Sequence, residues 1–514
     1  MTGPDERGLS LLSLSGMLDW WAGSAPDRPA VVDATRGQCL SFRDLQQQSD
    51  RVARGLCQAG LQPGDRVGFF SENRIDVVTL IYAAARAGLV IVPVNARFTL
   101  SEAERQIRMS RLDLLVVDDA REELLQEASL KSLRVLPWAS AHGVGSLHDL
   151  MTAAGGLPPH HRPTAATAIL YTSGSTGEPK GAIHTDRTLL GWCLGMVLAA
   201  GWTAADRVLI PYPLFHMGGL GFVLAAHLAG ATAVIVKTPR AEILREALVR
   251  ERVTALATVP TVLTALTEQA AGIGSGPCLQ KLVVTSAALF PSTLQKARQV
   301  YPRARISALY SATEALFTLM DPEGLSLRPT SVGRPVFGAD IRVESRPGLA
   351  GAGVIYTRGL SVFHGYDDRD PVPAGGWITC DDVGFVDDAG YLYLTDRLKD
   401  LVRTGGETVA SREVERVLAE HPRVLEASVI GLPDAYWGER VHAVLALRDG
   451  GTLTLEEIRH WCQGRLAGFK MPKSLTIIDE IPKNAAGKIA KPELRRMLIA
   501  SQEGGSDSSM TPSR

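Results

Sequence analysis

The chain has 514 residues, 45% hydrophobic and 21% charged, the composition of an ordinary soluble globular protein too long for one core. Lys and Arg number 54 against 55 Asp and Glu, a formal net charge of −1, so there is no global basic field for nucleic acid or an anionic membrane. No apolar run reaches the ~18 residues that span a bilayer, and stable membrane insertion is not expected.

The opening Met-Thr-Gly-Pro-Asp-Glu-Arg lacks a basic patch followed by an apolar core, so no signal peptide is read there. Residues 41–69 give an amphipathic helix, a turn at Pro63-Gly64-Asp65 and a strand. Residues 75–96 give an apolar helix, a stop at Gly88 and a Leu-Val-Ile-Val-Pro strand. Arg105 to Asp118 repeats the pattern on a smaller scale, and 206–237 and 253–286 repeat it in full. Such alternation predicts an α/β fold of parallel sheets with crossover helices. Leu189 to Gly201, with Trp192 and Cys193, reads as a buried helix. The six cysteines (Cys39, Cys57, Cys193, Cys278, Cys380, Cys462) are scattered without a CxxC pair. They read as reduced, buried, small apolar residues of a cytoplasmic chain. The Ser/Gly-rich end, 501–514, reads as a disordered tail.

The most informative stretch runs Ala168-Ile-Leu-Tyr-Thr172-Ser173-Gly174-Ser175-Thr176-Gly177-Glu-Pro-Lys180-Gly181. Hydroxyls cluster around two glycines, so backbone N–H groups and side chains converge on one anion while Lys180 adds a point charge. That pattern suits a polyphosphate. It is not the common ATPase loop, which needs Gly-Lys-Ser/Thr.

Further motifs follow in order: Tyr310-Ser311-Ala312-Thr313-Glu314; Gly353 to Gly359, continuing to Gly365-Tyr366; Trp377 to Gly384, containing Cys380-Asp381; Gly390 to Asp400, containing Arg397 and Lys399; and Ile481-Pro482-Lys483-Asn484-Ala485-Ala486-Gly487-Lys488. With the loop at 168–181, they resemble the adenylate-forming superfamily of acyl-CoA synthetases, peptide-synthetase adenylation domains and luciferases. The resemblance covers nearly the whole chain.

The resemblance implies a large N-terminal domain of βαβ-type sheets with a small barrel (1–397), a hinge at Leu398–Asp400 pivoting on Lys399, and a small mobile α+β domain (401–500). It places ATP on the loop Thr172 to Gly177 with Lys180, on Tyr310 beside the adenine, and on Asp381 and Arg397 at the ribose and phosphate. Thr313 would meet the α-phosphate, Glu314 would hold Mg²⁺, and Lys488 would drive adenylation. His216 stands where many acyl-CoA synthetases gate the acyl pocket. Relatives that activate amino acids carry an aspartate just after the residue matching Phe215, and its absence speaks against such a substrate. Met217, Leu220, Phe222, Val259 and Ala287 then suit a fatty, alicyclic or aromatic acid, and equally suit an ordinary core. Gly405 and Gly406 lie near the implied CoA path. The expected function is an acyl-CoA synthetase using ATP, Mg²⁺ and CoA, with transfer to an acyl carrier protein or an amine as the alternative. The acid and the oligomeric state stay open, a homodimer included.

Four departures from the family's pattern stand out. Ser311 replaces a glycine, Cys380 replaces a glycine, Ser286 to Phe290 replaces a Gly-Gly-Ala-Pro-like turn, and Gly406 to Ser411 replaces a Gly-Glu-Asn-Ile-Tyr-Pro-like run.

Overall fold

The computed structural model describes residues 13–118, 121, 133–139, 146–150, 165–173, 179–268, 276–286, 289, 291–346, 349, 351–483 and 489–504. The chain divides into two compact units, one of residues 1–341 and 357–378, the other of 342–356 and 379–514.

In the larger unit, helix–strand alternation produces the parallel strand pairs that the periodicity predicts, in two sheets that each also carry antiparallel strands. Helix Phe42–Gln58 is closed at its start by a capping box between Ser41 and Asp44, and strand Arg66–Phe70 follows. Helix Ile75–Ala87 ends on Gly88 at φ 72°, a left-handed cap that a side chain would strain, and strand Val90–Val94 comes next. These strands lie in a seven-stranded sheet with Leu114–Val117, Arg134–Pro137 and, on the other side, Ala166–Ser173, Pro179–Thr185 and Gly365–Tyr366. In a second sheet, Ser331–Pro335, Leu316–Met320, Arg305–Ser311, Lys281–Thr285, Ala255–Thr258, Arg207–Ile210, Thr232–Ile235 and Pro29–Asp33 are consecutive neighbours. The core between the elements holds Phe42, Phe69, Tyr82, Trp138, Trp192 and Phe222, all fully buried.

The smaller unit pairs Val424–Asp434 with Gly438–Leu447 over ten register positions and backs this sheet with helices Ser411–Ala419 and Leu455–Cys462. Its core is Val402, Val414, Leu418, Val429, Val441 and Leu445. The compact units part at Ile378–Thr379, ahead of Leu398–Asp400.

Two expectations need correction. Of the six cysteines, all free, only Cys193 and Cys462 are buried; Cys39 is exposed because it lies on Gln38–Ser41, which ends its sheet. The last helix, Lys491–Gly504, runs past Ser501, where a disordered tail was expected to begin. Gln502 and Glu503 are residues that a helix readily accommodates.

Candidate active site

Strand Pro179–Thr185 carries the first half of the site. It runs antiparallel to Ala166–Ser173, with Thr172 opposite Lys180 and Ala168 opposite His184, and Tyr366 pairs with Ala182 from the other side. Side chains alternate along a strand, and paired residues share a face. Thr172, Lys180, His184 and Tyr366 therefore line one face of this sheet. The Lys180 ammonium lies 5.6 Å from the centre of the Tyr366 ring.

The Tyr310-Ser-Ala-Thr-Glu motif closes a hairpin between Arg305–Ser311 and Leu316–Met320, with an irregular register between Tyr310 and Ser311. Tyr310 stacks on Phe317 at 4.5 Å. Three hydrogen bonds hold the turn. The Tyr366 hydroxyl donates to Glu314 Oε1 at 2.8 Å, the Phe363 N–H donates to the Glu314 carbonyl at 2.9 Å, and His184 Nε2 lies 2.9 Å from the Thr313 carbonyl oxygen. A carbonyl only accepts, so Nε2 carries the proton. His184 is fully buried, and burial holds its pKa near 4, which keeps the imidazole neutral at neutral pH.

The Phe363–Asp367 segment is itself pinned. His364 N–H donates to the Ile183 carbonyl and Asp367 N–H to that of Gly181. Arg66 grips the Asp367 carboxylate with two 2.7 Å bonds, the bidentate geometry that adds direction to charge. Nearby, Asp186 is the first residue of the helix that Thr185 caps, and it lies buried; its carboxyl accepts from Thr167 Oγ1 at 2.9 Å, and burial pushes its pKa up to about 6.

Among the described residues no group of three or more His, Cys, Asp or Glu could hold a metal alone. A single oriented carboxylate such as Glu314 still fits Mg²⁺, which takes one or two carboxylates together with substrate phosphates.

In the smaller unit Asp381 is exposed at φ +60°, a strained left-handed backbone that aspartate tolerates better than most residues. Its N–H bonds Thr379 Oγ1, and its carbonyl accepts from Leu398 N–H at 2.8 Å. Arg397 faces Asp382 across the hairpin, Nε to Oδ1 at 3.1 Å, and Asp382 is buried.

On the same unit Gly405 and Gly406, at φ +61° and +83°, turn the hairpin Val402–Thr404/Glu407–Val409. Gly405 N–H donates to the Trp437 carbonyl, and a Cβ at Gly405 would come within 2.8 Å of the Trp437 ring. Trp437, Tyr436 and Phe469 are exposed aromatics; the Lys473 ammonium sits 4.8 Å above Trp437 and that of Lys470 lies 5.7 Å from Phe469.

His216 precedes helix Met217–Leu228, its ring 4.7 Å from that of Phe215. Met217 and Leu220 are buried, and Phe222 packs among Trp192, Trp202 and Tyr212 in the main core, with Val259 against its edge. Ser173 ends its strand. Gly174, Ser175, Thr176, Gly177, Ala287 and Lys488 lie outside the described residues. His184, Tyr366, Asp382 and the Trp437 patch were not singled out from sequence. A lone buried histidine carries no motif, and the partners of the others converge only in three dimensions.

Comparison with known proteins matches residues 18–367 to the AMP-binding enzyme family and 413–488 to the AMP-binding enzyme C-terminal domain. The chain is 31% identical over 474 residues to a feruloyl-CoA synthase of Amycolatopsis sp, covering 90% of this chain and 94% of that one. It is 32% identical over 502 residues to the fatty acid–[acyl-carrier-protein] ligase ScoC of Streptomyces coeruleorubidus, covering 91% and 93%. Among solved structures, the o-succinylbenzoate coenzyme A synthetase MenE of Bacillus subtilis, in complex with ATP and a magnesium ion, superposes with a TM-score of 0.82 at 27% identity, covering 94% of this chain and 99% of that one. The chain belongs to the AMP-binding enzyme family, the adenylate-forming superfamily.

Proposed function

We propose that the protein activates a hydrophobic carboxylic acid with ATP and transfers the acyl group to coenzyme A. In the first step a carboxylate oxygen bonds the α-phosphorus of ATP and the bond to pyrophosphate breaks. In the second the thiol sulfur bonds the acyl carbon and AMP leaves. The first step joins two anions, so charge compensation and alignment supply most of the catalysis. No base is needed, because a carboxylic acid is already ionised near neutral pH.

The observation that carries the reading is the shared face of Thr172, Lys180 and Tyr366 with the Thr313–Glu314 turn hydrogen-bonded to it. In this reading Lys180, with the loop 172–177, faces the phosphates, Tyr310 borders the adenine, Thr313 meets the α-phosphate and Glu314 holds magnesium, which spreads phosphate charge when bound. Asp381 and Arg397 take the ribose, Lys488 bridges carboxylate and α-phosphate, and Lys399 is the pivot of the smaller unit. His216, Met217, Leu220, Phe222, Val259 and Ala287 face the acyl group. The exposed Trp437 and Phe469, with Lys473 and the Gly405-Gly406 turn beneath, offer stacking surface and a cation to a nucleotide-bearing thiol such as CoA.

Similarity to the carrier-protein ligase favours a second acceptor. The test incubates the protein with ATP, Mg²⁺, CoA and a panel of fatty, alicyclic and aromatic acids, with AMP and acyl products read by mass spectrometry. An acyl-CoA with AMP supports the reading. Acyl-adenylate without thioester transfers it to the carrier-protein or amine acceptor, and no carboxylate-dependent pyrophosphate release sinks it.

A further inference from the structure

We propose that His184 is a positioning residue for adenylation, locking the Thr313–Glu314 turn to the strand that carries Lys180 through its Nε2–H bond to the Thr313 carbonyl. The inference rests on the adenylation reading of this site.

Three observations carry it. The bond joins segments 129 positions apart in sequence, each bearing a group assigned to the phosphates, so it fixes the distance between those groups rather than closing a local turn. His184 and Lys180 occupy one face of one short strand, so a shift of the turn relative to His184 is a shift relative to Lys180. The ring is held at its other nitrogen as well: Nδ1 lies 3.3 Å from Thr188 Oγ1 on the helix that follows. Tyr366 tethers the carboxylate of Glu314, whereas His184 tethers the backbone beneath Thr313. Near-attack geometry is sensitive to displacements of about 1 Å, which is why a residue that touches no substrate affects rate here.

The test compares His184→Leu, which removes the donor, with His184→Gln, whose amide N–H reaches close to the place of Nε2. Both are made in the full chain. Pyrophosphate exchange, thioester formation from a supplied acyl-adenylate, and amide hydrogen exchange over 311–317 are measured. His184→Leu is expected to lower kcat for adenylation by roughly 10–100-fold, with a much smaller change in the KM of the acid and in thioester formation. Amides of the 311–317 turn should exchange faster, and His184→Gln should restore most of both effects. Equal loss in both half-reactions, or no recovery in His184→Gln, overturns the role. Unchanged hydrogen exchange at 311–317 in His184→Leu overturns it whatever the activity. Absence of pyrophosphate exchange in the unmodified protein sinks the adenylation reading instead, and hydrogen exchange then decides whether His184 anchors the turn.

Discussion

The Thr313–Glu314 turn and the Asp381–Arg397 hairpin both carry charged groups read from short motifs, yet the protein holds them by different means. The turn is held by three hydrogen bonds, one from a fully buried imidazole on a strand inside a seven-stranded sheet and two from the Phe363–Asp367 segment beside it. The hairpin leaves Asp381 exposed on a strained left-handed backbone and steadies Arg397 through one buried carboxylate, Asp382. The buried imidazole acts in low dielectric and fixes the turn firmly, whereas the exposed Asp381 carboxylate is softened by water. The first arrangement suits groups that must not move during phosphoryl chemistry. The second suits the ribose-binding role proposed for Asp381 and Arg397, at an open surface.

The largest expected effect breaks the comparison from the smaller unit. Lys488→Ala should lower adenylation by roughly 10²–10³-fold, as for loss of one preorganised donor, and leave thioester formation from a supplied adenylate nearly intact. Equal loss in both half-reactions would remove Lys488 from its assigned role. Next come Tyr366→Phe and Asp382→Asn, measured side by side. The first deletes the bond to Glu314 and should lower the adenylation kcat about tenfold. The second loosens Arg397 and should chiefly raise the KM for ATP, by roughly 3–10-fold. Reversal of this kcat-against-KM split would mean that the turn is the softer element.

Acid sharpens the contrast through stability. Burial holds His184 and His227 near 4 in the folded chain, below the usual ~6.5, so the unfolded chain takes up these protons first. Stability therefore falls as pH drops from about 6.5 toward 4. Asp186, pushed up to about 6, opposes this between pH 6 and 4, because there the folded chain takes up its proton first. His442 is likewise held near 4 by burial, and three imidazoles against one carboxyl leave a net loss of several kcal/mol. Melting temperature should fall between pH 7 and 4.5, and a rise on acidification would contradict this balance. The smallest effect concerns Ser286, a non-glycine residue at φ +75°. Ser286→Gly should stabilise by about 0.5–1 kcal/mol, read by denaturant unfolding.

The larger unit was legible wherever periodicity and caps agree. Phe42–Gln58, Ile75–Ala87 and the strands after them fall where the apolar spacing, Gly88 and the Pro-Gly-Asp turn put them. The motifs also marked Lys180, Thr313, Glu314, Asp381 and Arg397. What sequence could not supply is pairing across the fold. His184 reads as a core histidine until Thr313 is seen 2.9 Å away, and Tyr366 reads as the end of a turn until its hydroxyl meets Glu314. The cysteines mislead for a related reason. Cys39 is exposed because its strand lies at a sheet edge, and Cys57 is only partly buried at the end of its helix; composition carries no trace of either placement.

The atom by which His184 holds the turn is a main-chain oxygen, one that every amino acid possesses. Position 313 can therefore change its side chain, in evolution or by design, without cutting the mooring that sets its place. Such a site separates the chemistry it presents from the mount that presents it, and the mount can outlast a change of reaction.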